Sequence, residues 1–437
     1  MIVSDSTCLL TEIPVPICNL NRFRCSSGEL AFSNLGFRMR PNFFLEHKLS
    51  LELRKMEVIR RMGAGCLKNQ QGKGMNVEVD SGGEDFFDAA AAESSYVPEH
   101  LVIMVNGIIG SAADWRYAAE QFVKKLPDKV IVHRSECNSS RLTFDGVDMM
   151  GERLAEEVSS VVRRWPEVRK ISFVAHSLGG LVARYAIGRL HGYSSTLEAV
   201  GTNENCLNGA QTIWSKPCLE QPQEARIAGL EPMNFITFAT PHLGSRGHKQ
   251  LPFLCGLPFL ERRAPQTAHL VAGRSGKHLF LTDNDNGKPP LLLQMVDDSE
   301  DLKFMSALCA FKRRVAYANA NYDHMVGWRT SSIRRQHELP KSNLLISNEK
   351  YPHIVYVERE RADDIHNRAA SNVGEQEIDL EDEMVRGLTQ VPWERVDVSF
   401  HKSKQRYIAH STIQVKTYWL NSDGADVVFH MIDNFLL

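Results

Sequence analysis

Residues 171–190 constrain this chain more than any other stretch. An apolar run, Ile171-Ser172-Phe173-Val174, leads into Ala175-His176-Ser177-Leu178-Gly179-Gly180, and a helix-like segment follows from Leu181 to Leu190. Strand, sharp turn and helix in that order are the setting of a nucleophile elbow, where a serine stands at the tip of a strained turn with its hydroxyl presented above the strand. The residues two before and two after the serine must carry almost no side chain, because strand and helix close on each other there. Ala175 and Gly179 meet that need, and His176 and Gly180 complete the turn. The usual pattern opens with glycine, so Ala175 adds one methyl group where space is tight. By themselves these six residues also suit a small-residue turn between a buried strand and a buried helix. The surroundings decide between the two.

Among those surroundings, 437 residues exceed the usual single-domain range and leave room for one large core with long insertions, the reading favoured, or for two domains. Apolar residues at 43% and charged residues at 24% are ordinary for a globular chain. A formal charge of −2 offers no basic excess to neutralise a phosphate backbone, which argues against nucleic acid as a partner. The nine cysteines form an odd set without a C-x-x-C pair, so free thiols in a reducing compartment are expected. No run of about 18 apolar residues occurs, and the N-terminus lacks a compact charged-then-apolar signal. The expectation is a chain inside the cell, in the cytosol or in an organelle such as the plastid, neither secreted nor membrane-spanning.

Residues 1–98 read as an N-terminal extension and linker, with scattered Ser, Pro and Cys and an acidic, alanine-rich end at 82–92. Arg22, Arg24, Arg38 and Arg40 give the first forty residues a weak likeness to a transit peptide, although Asp5, Glu12 and Glu29 oppose it. Leu45, Leu49, Leu53 and Met56 share a helical face beside Lys48, Arg54, Lys55, Arg60 and Arg61. Such a face suits packing on the body of the protein, and it also allows peripheral contact with a membrane.

From residue 99 onward strand and helix signals alternate. Leu101–Val105 is a continuous apolar run suited to a strand covered on both faces, and residues 129–133, 233–240 and 314–320 repeat the signal. Helical periods fall between them, at 112–126 and at Val147, Met150, Leu154, Val158 and Val161, the latter halted by Pro166. The alternation predicts an α/β fold with a mostly parallel central sheet, helices on both faces and lid-like insertions. Three inserts interrupt it, near 191–229, 241–310 and 359–390. The first reads as a loose surface loop. The second holds Leu251, Phe253, Leu254, Leu257, Phe259 and Leu260 in an uncharged stretch with two prolines, a candidate acyl pocket or lid and equally a buried irregular connection. The third crowds Glu375, Glu377, Asp379, Glu381, Asp382 and Glu383 together and reads as a solvated acidic loop, since nothing fixes those carboxylates into a metal cage.

A serine nucleophile needs a base for its proton, an acid to orient that base and two N–H donors for the oxyanion, all supplied by loops at the carboxyl ends of strands. In this chain order the acid follows the serine and the histidine follows the acid. Asp323 lies just past the strand ending near Ala320, whereas Asp297, Asp298 and Asp301 precede that strand and Asp283 and Asp285 sit in a Gly/Asn/Pro-rich loop. For the base, His410 stands in Tyr407-Ile408-Ala409-His410-Ser411, with His401 as its rival. The oxyanion donors expected are the backbone N–H groups of Leu178, directly after the serine, and of Ile108, in the turn after the first strand of the alternating region.

Four stretches together resemble one known family. Val105-Asn106-Gly107-Ile108, the elbow, Phe238-Ala239-Thr240-Pro241-His242-Leu243-Gly244 and Ala409-His410-Ser411 are similar to those of the lipase-like serine esterases of plants, within the α/β-hydrolase superfamily. The likeness covers about residues 99–437. It implies a Ser, Asp, His triad at Ser177, Asp323 and His410, an acyl-enzyme route without metal or organic cofactor, and a carboxylic ester substrate, of lipid type. Two departures stand out: Asn106 where a His-Gly pair is common, and Ala175 in the first elbow position. An asparagine can still brace the oxyanion loop by hydrogen bonding. Acyl transfer to another alcohol is a neighbouring expectation if water is excluded, and a hydrolase fold serving as a ligand receptor or scaffold is a separate one.

Overall fold

The structure, a computed structural model, describes residues 77–79, 85–87, 98–193, 225–245, 272–284, 287–359 and 379–437. All belong to one unit of the chain, Met75–Leu437. The amphipathic segment at 45–61 and the apolar stretch at 251–260 lie outside the described residues.

A nine-stranded sheet forms the centre. Its strands are β1 (Val77–Val79), β2 (Asp85–Phe87), β3 (His100–Val105), β4 (Val130–Arg134), β5 (Lys170–His176), β8 (Glu231–Phe238), β9 (Arg313–Asn319), β10 (Ile354–Arg359) and β11 (Glu394–Val398); β6 (His191–Tyr193) and β7 (Ala225–Ile227) pair separately. In space the order is β1-β2-β4-β3-β5-β8-β9-β11-β10. The six strands from β4 through β11 in that order run parallel, and both edges are antiparallel additions.

Alternation of side chains along each central strand sends neighbours to opposite faces. Leu101, Ile103 and Val105 of β3, with Ile171 and Phe173 of β5, pack under the helices α2 (Val147–Arg164) and α3 (Leu178–Leu190). Val102 and Met104 face the other way, onto Trp115, onto Phe122 of α1 (Arg116–Lys125) and onto Val427, Val428 and Met431 near the C-terminus. Both faces of β3 are therefore dry, and its unbroken apolar run is the sequence signature of that burial. Each such side chain contributes roughly 1.5–3 kcal/mol relative to exposure.

The strand order also places the site. From β3 the chain moves to β4 on one side, then crosses back to form β5 on the other. This reversal falls at the carboxyl ends of β3 and β5, the position beyond which α/β sheets bind their ligands. The turn after β3 and the elbow after β5 meet there in direct contact.

Several elements depart from the sequence reading. The sheet reaches back into the stretch 1–98 through β1 and β2, whose three residues each are too short for a period to show. The flanks of the 191–229 insert pair as β6 and β7, register His191 with Ile227, instead of forming a loose loop throughout; backbone pairing carries no side-chain pattern at that length. The 241–310 insert is helical at 272–279 and at Phe304–Ala310, the second packing its Phe304 ring 5.6 Å from Tyr185 of α3. The acidic loop read at 359–390 ends in a helix, Leu380–Leu388, with Met384, Val385 and Leu388 buried. Glu381, Asp382 and Glu383 fall in its first turn, where the exposed amides favour negative charge. Cys137 is a free thiol but Cys309 is disulfide-bonded, a pairing that spacing could not reveal.

Candidate active site

Ser177 joins β5 to α3 with φ 54° and ψ −129°, a left-handed backbone that a side chain rarely adopts. What holds it there is hydrogen bonding on both sides. Its N–H donates to the Phe238 carbonyl at 2.8 Å, and its own carbonyl accepts from Gly180 N–H at 3.1 Å. The close approach demanded by this turn explains the glycines. A Cβ on Gly180 would overlap the Thr240 side chain, and one on Gly107 would stand 2.8 Å from the Ser177 Cβ. The turn at 106–108 is thus pressed against the serine.

Three side chains meet above the sheet. His410 Nε2 lies 3.0 Å from Ser177 Oγ, and its Nδ1 lies 3.0 Å from Asp323 Oδ2. A carboxylate only accepts, so Nδ1 carries the proton and Nε2 is left to accept from the serine hydroxyl. Asp323 is buried in a ring of donors: Asn319 Nδ2 at 2.8 Å, and the Met325 and Val326 amides at 2.9 Å each. Burial alone would raise its pKa, but the His410 charge and these hydrogen bonds outweigh burial and hold the carboxyl below its usual value. His401, the rival base, is exposed beside the Tyr322 ring. Among the rival acids, Asp298 accepts from the Met305 and Ser306 amides and Asp283 from the Leu291 amide, each tied up in local turns, while Asp285 lies outside the described residues.

The turn after β3 is braced from the side. Asn106 Nδ2 donates to the Asn138 carbonyl at 2.9 Å and to that of Gly107 at 3.2 Å. The Ile109 amide donates to Thr143 Oγ1 at 2.9 Å. Ile108 therefore sits in a turn fixed at both flanks, next to the serine, and Leu178 is the first residue of α3. At the end of β4, Glu157 of α2, buried, accepts from Ser135 and from the Glu136 amide, and faces His133 at 3.2 Å. Despite the upward push of burial, the hydrogen bond and charge of His133, followed by the Ser135 hydroxyl, pull its pKa down to about 2.

The motif at 238–244 proves to be scaffolding. His242 Nε2 meets Thr237 Oγ1 at 3.0 Å, Arg184 of α3 donates to the His242 carbonyl at 3.3 Å, and the Leu243 amide donates to Thr330 Oγ1 at 2.9 Å. Burial, followed by the nearby Arg184 charge, drives the His242 pKa well down, so the imidazole stays neutral. Residues that sequence reasoning missed are Asn319, Asn138 and the pair Lys416 and Asp114, 2.9 Å apart, which ties the segment after His410 to the one after the Asn106 turn. Only Asn319 carried a local signal, as a polar residue at the end of a buried strand. Among the described residues no group of three or more His, Cys, Asp or Glu side chains could hold a metal ion, and no helix is long and apolar enough to cross a membrane.

A mostly parallel sheet with a serine elbow after β5, and an acid and a histidine reaching it from segments that follow later strands, defines an α/β-hydrolase. The chain belongs to the family described as "Putative serine esterase (DUF676)", which matches residues 95–333 and so includes Ser177 and Asp323 but not His410. It is similar to "Putative lipase C4A8.10" of Schizosaccharomyces pombe, 28% identical over 243 residues, covering 54% of this chain and 26% of that protein. It is also similar to "Putative lipase ROG1" of Saccharomyces cerevisiae, 30% identical over 240 residues, covering 54% and 28%. The chain thus spans less than a third of the length of these relatives. Among solved structures, mature Bacillus licheniformis lipase BlEst2 is 15% identical, with 54% of this chain and 71% of that one covered and a TM-score of 0.30. Propionate-bound Est2 of Thermogutta terrifontis is 14% identical, with 60% and 77% covered and a TM-score of 0.30.

Proposed function

We propose that this protein is a serine esterase that cleaves carboxylic esters, of lipids in particular, through a triad of Ser177, His410 and Asp323. The observation that carries the reading is the relay of two 3.0 Å contacts from Ser177 Oγ to His410 and from His410 to Asp323. His410 takes the Ser177 proton as the oxygen attacks the ester carbonyl. The amides of Ile108 and Leu178 receive the oxyanion, worth about 100-fold or more in rate for each donor. His410 then gives its proton to the departing alcohol, leaving an acyl-enzyme, and activates the water that hydrolyses it. Asp323 keeps the imidazole in the Nδ1–H tautomer and stabilises its cationic form. No step calls on a metal or an organic cofactor.

The lipid character rests on the surroundings and on the relatives, which carry the name lipase. Ile408, two residues before the base, and Ile109, beside the proposed oxyanion turn, expose their side chains. Exposed apolar groups on the segments that carry the base and the proposed oxyanion turn suit a substrate with an acyl chain.

The test is labelling of the full chain and of Ser177→Ala with a fluorophosphonate, followed by turnover of p-nitrophenyl esters from acetyl to palmitoyl. Labelling and turnover that vanish with Ser177→Ala are expected, with a preference for the longer chains. A folded protein that neither labels nor turns over would overturn the reading in favour of a hydrolase fold used for binding.

A further inference from the structure

We propose that His176, the residue before the nucleophile, is a positioning residue: by donating its Nε2–H to the backbone carbonyl of His410, it clamps the base segment onto the elbow and keeps the base in register with Ser177. The inference rests on the serine-hydrolase reading above. His176 Nε2 lies 2.7 Å from the His410 carbonyl oxygen. A carbonyl only accepts, so Nε2 of His176 carries a proton, and the neutral Nε2–H tautomer supplies it without a buried charge. Its environment enforces that state. The side chain is buried, the His410 ring lies 4.6 Å away between centroids, and both burial and the charge of His410 press its pKa well below the ordinary imidazole value.

The reason a clamp is needed lies in the segment that carries the base. His410 belongs to a helix of only four residues, Ala409–Thr412, reached through the turns at 399–408. So short a helix leaves carbonyls without intrahelical partners, and they must find donors elsewhere. The His410 carbonyl finds one on the residue adjoining the nucleophile. His410 is then fixed at three points: Nδ1 on Asp323, Nε2 at Ser177 and its carbonyl on His176. The first two bonds orient the ring, and the third sets the distance of its backbone from the elbow. His176 also abuts the turn after β3, since a Cβ on Gly107 would stand 3.2 Å from its Nδ1. One imidazole therefore touches the elbow, the base segment and the proposed oxyanion turn.

The experiment compares His176→Phe, which fills the space but cannot donate, with His176→Gln, whose amide can reach the same carbonyl. Both are made in the full chain, with kcat and KM measured on p-nitrophenyl butyrate and the variants crystallised. His176→Phe should lower kcat by about 10- to 100-fold with KM within two-fold, as a misplaced base would. His176→Gln should recover most of that loss. Equal losses in the two variants, or a His176→Phe enzyme within two-fold of the parent, would overturn the clamp. If the parent shows no Ser177-dependent turnover, it is the hydrolase reading that fails. The crystal structure of His176→Phe then decides the clamp separately: a shifted His410 backbone supports it, and an unmoved one overturns it.

Discussion

Gly179 and Asn106 meet with no room between them: a Cβ on Gly179 would overlap the Asn106 carbonyl oxygen and stand 2.7 Å from that of Val105. The first turn of α3 thus lies directly on the end of β3, and this contact packs the elbow against the start of the 106–108 turn. Neither obstacle is the end of a flexible side chain; both are backbone. Gly179→Ala should therefore force α3 away from β3, lowering stability by roughly 1–3 kcal/mol and turnover by at least about 100-fold. Denaturant unfolding and p-nitrophenyl butyrate kinetics on the same preparation separate the two effects. A variant with parental kcat would show that the contact does not set the site.

Asp323 is the group whose removal tests tautomer control. In Asp323→Asn the amide can present its NH2 to the imidazole, so the favoured tautomer places a proton on Nε2, facing the serine. The hydroxyl then has no base. With the surrounding donors at Asn319, Met325 and Val326 still in place, kcat should fall by about ten-thousand-fold with little change in KM. Fluorophosphonate labelling of Ser177 should slow in step. Parental labelling rates would point to another acid.

Asn106 stands where a His-Gly pair is common, and the structure gives its amide a task, spanning from the turn to the Asn138 carbonyl. Asn106→Ala leaves that buried carbonyl without this donor and lets the 106–108 turn relax. Loss of one such bond costs about 1 kcal/mol of stability. If the turn presents an oxyanion donor, kcat falls about ten-fold or more while KM holds. A rise in KM with kcat unchanged would assign the turn to substrate binding instead.

How far this site could be read from the chain follows the range of its interactions. The elbow is local: apolar strand, small residues and helix lie within twenty positions, and each imposes its own composition. Asp323 and His410 are 87 residues apart, yet strand ends in a parallel sheet converge, so chain order and position after a strand narrow the choice. The clamp from His176 was hidden, because its partner is a carbonyl and every residue has one. The Asn106 brace is hidden in the same way on the Asn138 side. β10 escaped notice because this edge strand, Ile354–Arg359, mixes buried and exposed positions and lacks the continuous apolar run that marked β3. The helix at Leu380–Leu388 was masked by the acidic first turn that its own dipole favours.

Buried imidazoles make the fold sensitive to acid. Burial, helped by the Lys170 charge, lowers the His100 pKa to about 3, and burial lowers that of His430 to about 4. In the unfolded chain both return to about 6.5. Below that pH the unfolded state binds protons that the folded state refuses, so stability falls as pH drops from about 6.5 toward 4, and is flat with respect to these groups above it. Each group contributes a slope approaching 1.4 kcal/mol per pH unit within its window. His100 Nε2 sits 2.8 Å from Ser172 Oγ, a contact that a glutamine amide can also make. His100→Gln should therefore cost little at pH 7.5 and lose less stability than the parent on going to pH 5. Guanidinium unfolding at the two pH values measures this directly. Parallel losses in parent and variant would show that His100 titrates alike in both states, and would move the acid sensitivity to other groups.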